Sequence, residues 1–274
     1  MLGNAMLRVL ATKKDIDVVG TARNGSVRSY FQPTIADRII AGVDVENVDA
    51  LTTVFARCKP QVVINCIGLV KQHAEAEDPL QALPVNAMLP HRLARLCQLS
   101  GARLVHVSTD CVFNGKRGNY RETDPSDAED LYGRSKYIGE VLHPHAVTLR
   151  TSIIGHELAS AHGLIGWFLA QKSKIKGYRR AIFSGLPTVA LARLVSDTII
   201  PRPDLFGLFH VASEPISKFD LLGLVASEYG IEIEIEPDDT LAVDRSLNAE
   251  LLRNATGYVA AGWPELVAQM CKFK

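Results

Sequence analysis

No CxxC pair occurs among the five cysteines of this 274-residue chain; Cys58, Cys66, Cys97, Cys111 and Cys271 are scattered and odd in number. That pattern argues against a disulfide framework or a cysteine-built metal site, and fits reduced thiols of a cytoplasmic protein. Net charge is also lacking, since 30 basic residues balance 30 acidic ones. Bulk attraction to nucleic acid or to an anionic membrane is therefore not expected. No apolar run approaches the roughly 18 residues needed to span a bilayer. Met1-Leu2-Gly3-Asn4-Ala5-Met6-Leu7-Arg8 lacks the basic-then-apolar order of a signal sequence. Repeats and low-complexity tracts are absent as well.

What remains is an ordinary apolar content, 47% of residues, arranged in alternating strand and helix patterns. The spacing predicts a helix over Leu2–Leu10, a strand within Asp15–Arg23, a strand over Arg38–Asp44 and a helix over Asn47–Arg57. A buried strand follows at Gln61–Cys66, a helix at Pro84–Ser100 with Val85, Leu89, Leu93 and Leu96 on one stripe, and a strand at Arg103–Ser108. A helix over Leu131–Leu142 and a strand over Ala146–Arg150 complete the alternation. Such a sequence builds a parallel sheet covered by helices on both faces, the α/β doubly wound class. Beyond Arg150 the pattern loosens. Gly207–Val211 reads as a last sheet strand, and the tail from Ser217 as a helix, a short strand at Ile231–Ile235 and two more helices. This tail predicts a small domain at the sheet's carboxyl edge, where open α/β folds bind ligands.

The strongest chemical signal is Tyr132-Gly133-Arg134-Ser135-Lys136 at the start of a helix. The two outer side chains lie one turn apart on one face. A neighbouring ammonium favours the phenolate, so lysine is expected to lower the tyrosine's pKa and fit it for proton transfer to a carbonyl oxygen. Alone, a YxxxK is more often two solvated helix positions. Upstream, Val105-His106-Val107-Ser108-Thr109-Asp110 ends a buried strand in hydroxyls and a carboxylate, either a ligand-facing edge or merely a turn cap.

Val107-Ser108-Thr109-Asp110-Cys111-Val112-Phe113-Asn114-Gly115, then Tyr120, Glu122 and Asp124-Pro125, then Leu131 to Lys136 and Gly139-Glu140, resembles the extended short-chain dehydrogenases. Within them it is most similar to dTDP-4-dehydrorhamnose reductases and related nucleotide-sugar reductases. Asn65-Cys66-Ile67-Gly68, Asn86-Ala87, Arg150-Thr151-Ser152, Ser184 to Thr188, Gly207 to Val211, Asp244 to Asn248 and Thr256-Gly257-Tyr258 continue the match in order. The resemblance implies a Rossmann-like dinucleotide-binding domain over 1–152, continued by 185–212. It implies a substrate domain over 153–184 and 213–274. Ser108 or Thr109 would orient a sugar keto group, Tyr132 would be the general acid, and Lys136 would tune it and hold the nicotinamide ribose. Gly3, Arg23, Asp44, Val45, Cys66, Gly68 and Val70 would line the cofactor cleft.

The implied activity is NAD(P)H-dependent reduction of a nucleotide-activated 4-keto-6-deoxy sugar. Arg23 stands where NAD-specific relatives often carry an acid, which favours NADP(H) over NAD(H), unless it is a solvated loop residue. The resemblance also allows a homodimer. Cys111 replaces a tyrosine usual in the closest dTDP-sugar reductases, and Ile153-Ile154 stands where they tend to have an aromatic residue, so a UDP-linked amino sugar is an equal candidate. The alternatives are an epimerase or dehydratase, or a non-catalytic NADP-binding regulatory subunit. Asp110 takes a dehydratase acid's place, but Cys111 follows it instead of Glu. The family's first strand and G-x-x-G-x-x-G turn have no counterpart before Gly3, which predicts a gap at the centre of the sheet. Lys71, Lys172, Lys174, Lys176, Arg179 and Arg180 are solvated by default, with diphosphate contact the alternative. His106 reads as a satisfied core histidine, and Trp167-Phe168 as core. No histidine has a partner at metal spacing.

Overall fold

Residues 1–70 and 74–273 are described in the computed structural model of the protein. The apolar spacing at the start produces α1 (Leu2–Leu10), which buries Leu2, Ala5, Met6, Leu7, Val9 and Leu10. After it come β1 (Gly20–Ala22), α2 (Pro33–Ala36), β2 (Ile39–Ala41), α3 (Val48–Cys58) and β3 (Val62–Asn65). Asn47 starts α3 by accepting from the amides of Asp49 and Ala50, groups that a helix start leaves without intrahelical partners. Next are α4 (Pro79–Ala82), a π-type stretch at Leu83–Met88, α5 (Leu89–Ser100), β4 (Arg103–Thr109), α6 (Leu131–Ile138) and β5 (Ala146–Thr151).

β3, β4 and β5 join a later strand, β10 (Gly207–His210), in a parallel sheet of order β10-β5-β4-β3. Alternation along β4 and β5 sends Val105, Val147 and Leu149 into one core and Leu104 and Ala146 into another. The first core lies beneath α1, and the second beneath α3 and α5, so both faces are covered, as a parallel sheet requires.

β1 and β2 form a separate parallel pair. α1 bridges the two sheets on one face, with Leu7 against Gly20 and Gly3 against Cys66. On the other face Ile40 and Val43 share a cluster with Leu51, Leu93 and Leu104. Among the described residues no strand pairs with β1 or β3 on the remaining edge. The Val62-Val63-Ile64 run of β3 is accordingly only half-buried, whereas β5 is buried throughout.

The rest of the chain builds smaller sheets. β6 (Ile153–Ile154) pairs with β9 (Leu186–Pro187), and β7 (Ile175–Tyr178) with β12 (Ile235–Asp238). β8 (Ala181–Phe183) lies between β11 (Ile216–Ser217) and β13 (Val243–Asp244). α7 (Leu164–Leu169), α8 (Thr188–Leu194), α9 (Lys218–Tyr229), α10 (Glu250–Thr256) and α11 (Trp263–Lys272) pack around them. The strand expected at Ile231–Ile235 begins instead at Ile235, where the parallel ladder with β7 starts. Ile231 and Ile233 pack on the main core without a ladder. No helix among the described residues is long and apolar enough to cross a membrane.

Candidate active site

Two neighbouring elements, β4 and α6, bring the motif residues together. Strand alternation points Ser108 and Thr109 to opposite faces of the sheet. Thr109 caps the turn that follows, accepting from the Cys111 amide at 3.1 Å and donating to Asp110 Oδ1 at 3.2 Å. Asp130 caps α6 by accepting from the Gly133 amide at 2.7 Å. Glycine is required at 133, since a Cβ there would run into the Cys111 carbonyl. That close approach sets Tyr132 beside Thr109, Asp110 and Cys111. One turn later Lys136 is buried, with Nζ donating to the Val107 carbonyl at 2.9 Å.

Asn86 ties this helix to the loop after β3. Its Oδ1 accepts from the Leu69 amide at 2.9 Å, and its Nδ2 donates to the Leu69 carbonyl at 3.1 Å and to Ser135 Oγ at 3.2 Å. Ser135 in turn donates to the Tyr132 carbonyl at 2.9 Å. In sequence Asn86 is only a landmark; that it clamps a loop 17 residues away to a helix 49 residues away is a tertiary fact.

Burial pushes the Tyr132 phenol above its usual range, and negative charge at Cys111 would add to the shift. A Thr109 hydrogen bond pulls the other way. The YxxxK spacing predicts a lowering by Lys136, but desolvation prevails, because the lysine is itself desolvated and held by a carbonyl. Burial lowers the Lys136 pKa to about 8, with Glu140 acting in the opposite sense. Burial also raises Asp110, against the pull of Arg245, and takes the Cys111 thiol up to about 12. The site thus presents a protonated phenol and an unreactive thiol, a proton donor rather than a nucleophile.

Ser108 belongs to a different network. Its hydroxyl donates to Glu140 Oε1 at 2.8 Å, and Glu140 accepts from both Nε and Nη2 of Arg150 at 2.7 Å. The Arg150 guanidinium also meets His210 Nε2 at 3.3 Å, while His210 Nδ1 lies 3.0 Å from the Tyr120 carbonyl. Burial first, and Arg150 second, lower the His210 pKa to about 3, so the ring is neutral and its Nε2 accepts a hydrogen bond from Arg150 Nη1. His106 is neutral for the same first reason, with Nδ1 accepting from Asn65 Nδ2 at 3.1 Å.

Of the other residues singled out for a cofactor, Cys66, Gly68 and Val70 follow β3, Arg23 follows β1, Asp44 and Val45 follow β2, and Gly3 lies in the first turn of α1. A Cβ on Gly68 would stand 3.3 Å from Asn86 Oδ1 and 3.7 Å from Lys136 Nζ, so its absence keeps a cradle open above the lysine. Cys66 faces Gly3 near the start of α1, whose amides offer positive potential. Val70 is 41% exposed on the same loop. At the far end Val45 packs into the core, and Arg23 lies 4.0 Å from Asp44 and 3.9 Å from Glu46. Lys136, Gly68 and Asn86 therefore fit a nicotinamide ribose. The adenine end offers a cation flanked by two carboxylates. Among the basic clusters, Lys174 pairs with Glu234 and Glu236, Lys176 with Asp238, and Arg179 with Asp239. Lys71 lies outside the described residues. Phe168 is fully buried, and Trp167 is 39% exposed.

The model of the RmlD substrate binding domain family matches residues 1–256. The chain belongs to that family. It is 40% identical over 100 residues to a dTDP-4-dehydrorhamnose reductase of Mycobacterium tuberculosis, a match covering 33% of each chain. The chain thus spans about a third of the length of the first curated relatives it matches. A probable low-salt glycan biosynthesis reductase, Agl14 of Haloferax volcanii, is 28% identical over 265 residues, which is 93% of this chain and 83% of that protein. Among solved structures, a dTDP-4-dehydrorhamnose reductase of Bacillus anthracis in complex with NADP superposes with a TM-score of 0.76 at 22% identity, covering 94% of this chain and 100% of that one. At that identity the likeness establishes a shared fold, and the α/β assignment agrees with it.

Proposed function

We propose that this chain is an NAD(P)H-dependent reductase of a nucleotide-activated 4-keto-6-deoxy sugar. Family membership supports the reaction class, and one observation carries the reading: Thr109, Tyr132 and Lys136 converge at the end of β4, with the Gly68 cradle over the lysine. Bound beside Lys136, the reduced nicotinamide supplies a hydride. Thr109 orients the keto oxygen, and Tyr132, held protonated by burial, gives its proton to that oxygen as the alcohol forms. The phenolate left behind lies one helical turn from the Lys136 ammonium, which offsets its charge. The segments 153–184 and 213–274 carry the sugar nucleotide over this edge. NADPH is the preferred reductant, because Arg23 suits a 2′-phosphate and the Bacillus anthracis relative was solved with NADP. A dehydratase is disfavoured, since the residue after Asp110 is a thiol raised to about 12 and not a carboxylate.

The test is oxidation of NADPH with dTDP-4-dehydrorhamnose and with a UDP-linked 4-keto sugar. We expect turnover with at least one of them and a fall of about 10²-fold or more in Tyr132→Phe, the scale of general acid catalysis. Turnover in Tyr132→Phe equal to wild type would remove this mechanism.

A further inference from the structure

The turn Asp110–Val112, which follows Thr109, is held by two segments. Ahead of α6, the Ser126 hydroxyl and the Asp127 and Ala128 amides donate to the Val112 carbonyl at 2.7, 3.2 and 3.1 Å. The second segment, Val243 to Asn248, comes from the far end of the chain. Its Asp244 amide donates to the Gly115 carbonyl at 2.7 Å, and its Asn248 amide to the Tyr120 carbonyl at 2.7 Å. Ser246 accepts from the Asn119 amide through its hydroxyl at 2.8 Å and from the Tyr120 amide through its carbonyl at 2.9 Å. Leu247 packs with Val112, Phe113 and Tyr120 in one buried cluster. Gly115 permits the approach. It lies in the left-handed region at φ +83°, and a Cβ there would stand 2.5 Å from Val243 Cγ2.

Arg245 carries this hold into the turn itself. Its Nε donates to the Phe113 carbonyl at 2.7 Å, across 132 positions of sequence. The Phe113 amide donates to the Asp110 carbonyl at 3.0 Å. That carbonyl belongs to the same peptide group as the Cys111 amide, which donates to Thr109 Oγ1 at 3.1 Å. A chain of hydrogen bonds thus leads from the guanidinium to the hydroxyl beside Tyr132. Without the Nε donor, the part-buried Phe113 carbonyl would draw the turn towards another partner.

We propose that Arg245 is a positioning residue for the keto reduction, holding through the Phe113 carbonyl the turn that sets the Thr109 hydroxyl beside Tyr132. This rests on the reductase reading above and adds to it a residue that acts through Thr109. Arg245 also pulls the Asp110 carboxyl down against burial, so a test has to separate its charge from its hydrogen bond.

Methionine and glutamine both reach as far as Nε, and glutamine alone keeps an N–H there. NADPH oxidation by the full chain, with dTDP-4-dehydrorhamnose and with a UDP-linked 4-keto sugar, is the assay. Arg245→Met should lower kcat about tenfold, below the roughly 10²-fold that a 1 Å misplacement can cost, with KM and NADPH affinity unchanged. Arg245→Gln should restore kcat. In a Thr109→Val background Arg245→Met should cost almost nothing more, because the group it positions is gone. Parent kcat in a folded Arg245→Met would overturn the role. So would a loss confined to KM, an equal loss in Arg245→Gln, or a full tenfold loss added to that of Thr109→Val. If Arg245→Met does not fold, Arg245→Lys replaces it: it keeps the charge, has a methylene in the place of Nε and should lose turnover, and parent kcat there would refute the role. Each of these refutations leaves the reductase reading standing. A parent chain that turns over neither keto sugar would remove the reading and the role together.

Discussion

At the end of β4, Ser108 and Thr109 stand one residue apart on opposite faces of the sheet, in opposite electrostatic surroundings. On the Ser108 face every charge is answered: Glu140 holds Arg150 through two hydrogen bonds, and Ser108 and a neutral His210 complete the set. On the Thr109 face burial pushes Tyr132, Asp110 and Cys111 towards their neutral forms. A closed network holds the strands β4, β5 and β10 in register. An open one has interactions left to offer a ligand. The difference teaches that the parity of a strand can send neighbouring hydroxyls of similar chemistry into a closed network on one face and an open cluster on the other.

The largest effect that would sharpen this contrast is on stability. Arg150→Met should strand the buried Glu140 carboxylate and cost about 3–5 kcal/mol, the usual scale for breaking a buried pair from one side. Chemical denaturation would measure it, and a loss near zero would mean that Glu140 finds another partner. Next comes the pair of hydroxyls. Thr109→Val should lower turnover by about 10²-fold, as loss of a positioned donor does, with a small change in stability. Ser108→Ala should do the reverse, costing about 1.5 kcal/mol of stability through a lost bond to a carboxylate and leaving turnover nearly intact. Reversed outcomes for these two variants would break the comparison.

Lys136 gives a pH signature. Its folded pKa of about 8 lies below the free value of 10.5. Between those values the unfolded chain holds a proton that the folded one has released, so this residue makes stability rise with pH across the window. Turnover should fall over the same window, because the ammonium is lost above about pH 8. Melting and rate profiles of wild type against Lys136→Met would isolate both trends, and parallel trends would contradict the assignment. The smallest effect belongs to Arg23. It is exposed and shared with Asp44 and Glu46, so Arg23→Ala should weaken NADPH by only about 1 kcal/mol, the upper range for exposed pairs, and NADH less. Equal losses for both would detach it from the 2′-phosphate.

Much of this arrangement is legible in the amino-acid order. Strand and helix alternation, the α1 and α3 positions and the one-turn spacing of Tyr132 and Lys136 follow from local geometry, which periodicity reports. Less legible are the exact strand limits: Asp15–Arg23 yields only Gly20–Ala22, because a strand extends only as far as its partner β2 does.

By itself, the sequence determined that a phenol and an ammonium share one helix face next to a strand ending in two hydroxyls, since covalent spacing and backbone period leave no other choice. Tertiary structure alone decided that Thr109 and not Ser108 meets the phenol, that burial raises Tyr132 where a lysine was expected to lower it, and that Arg245 reaches the turn after Thr109 from the far end of the chain. Those outcomes depend on desolvation and on partners tens to more than a hundred residues distant, and neither has a local signature in the order of residues.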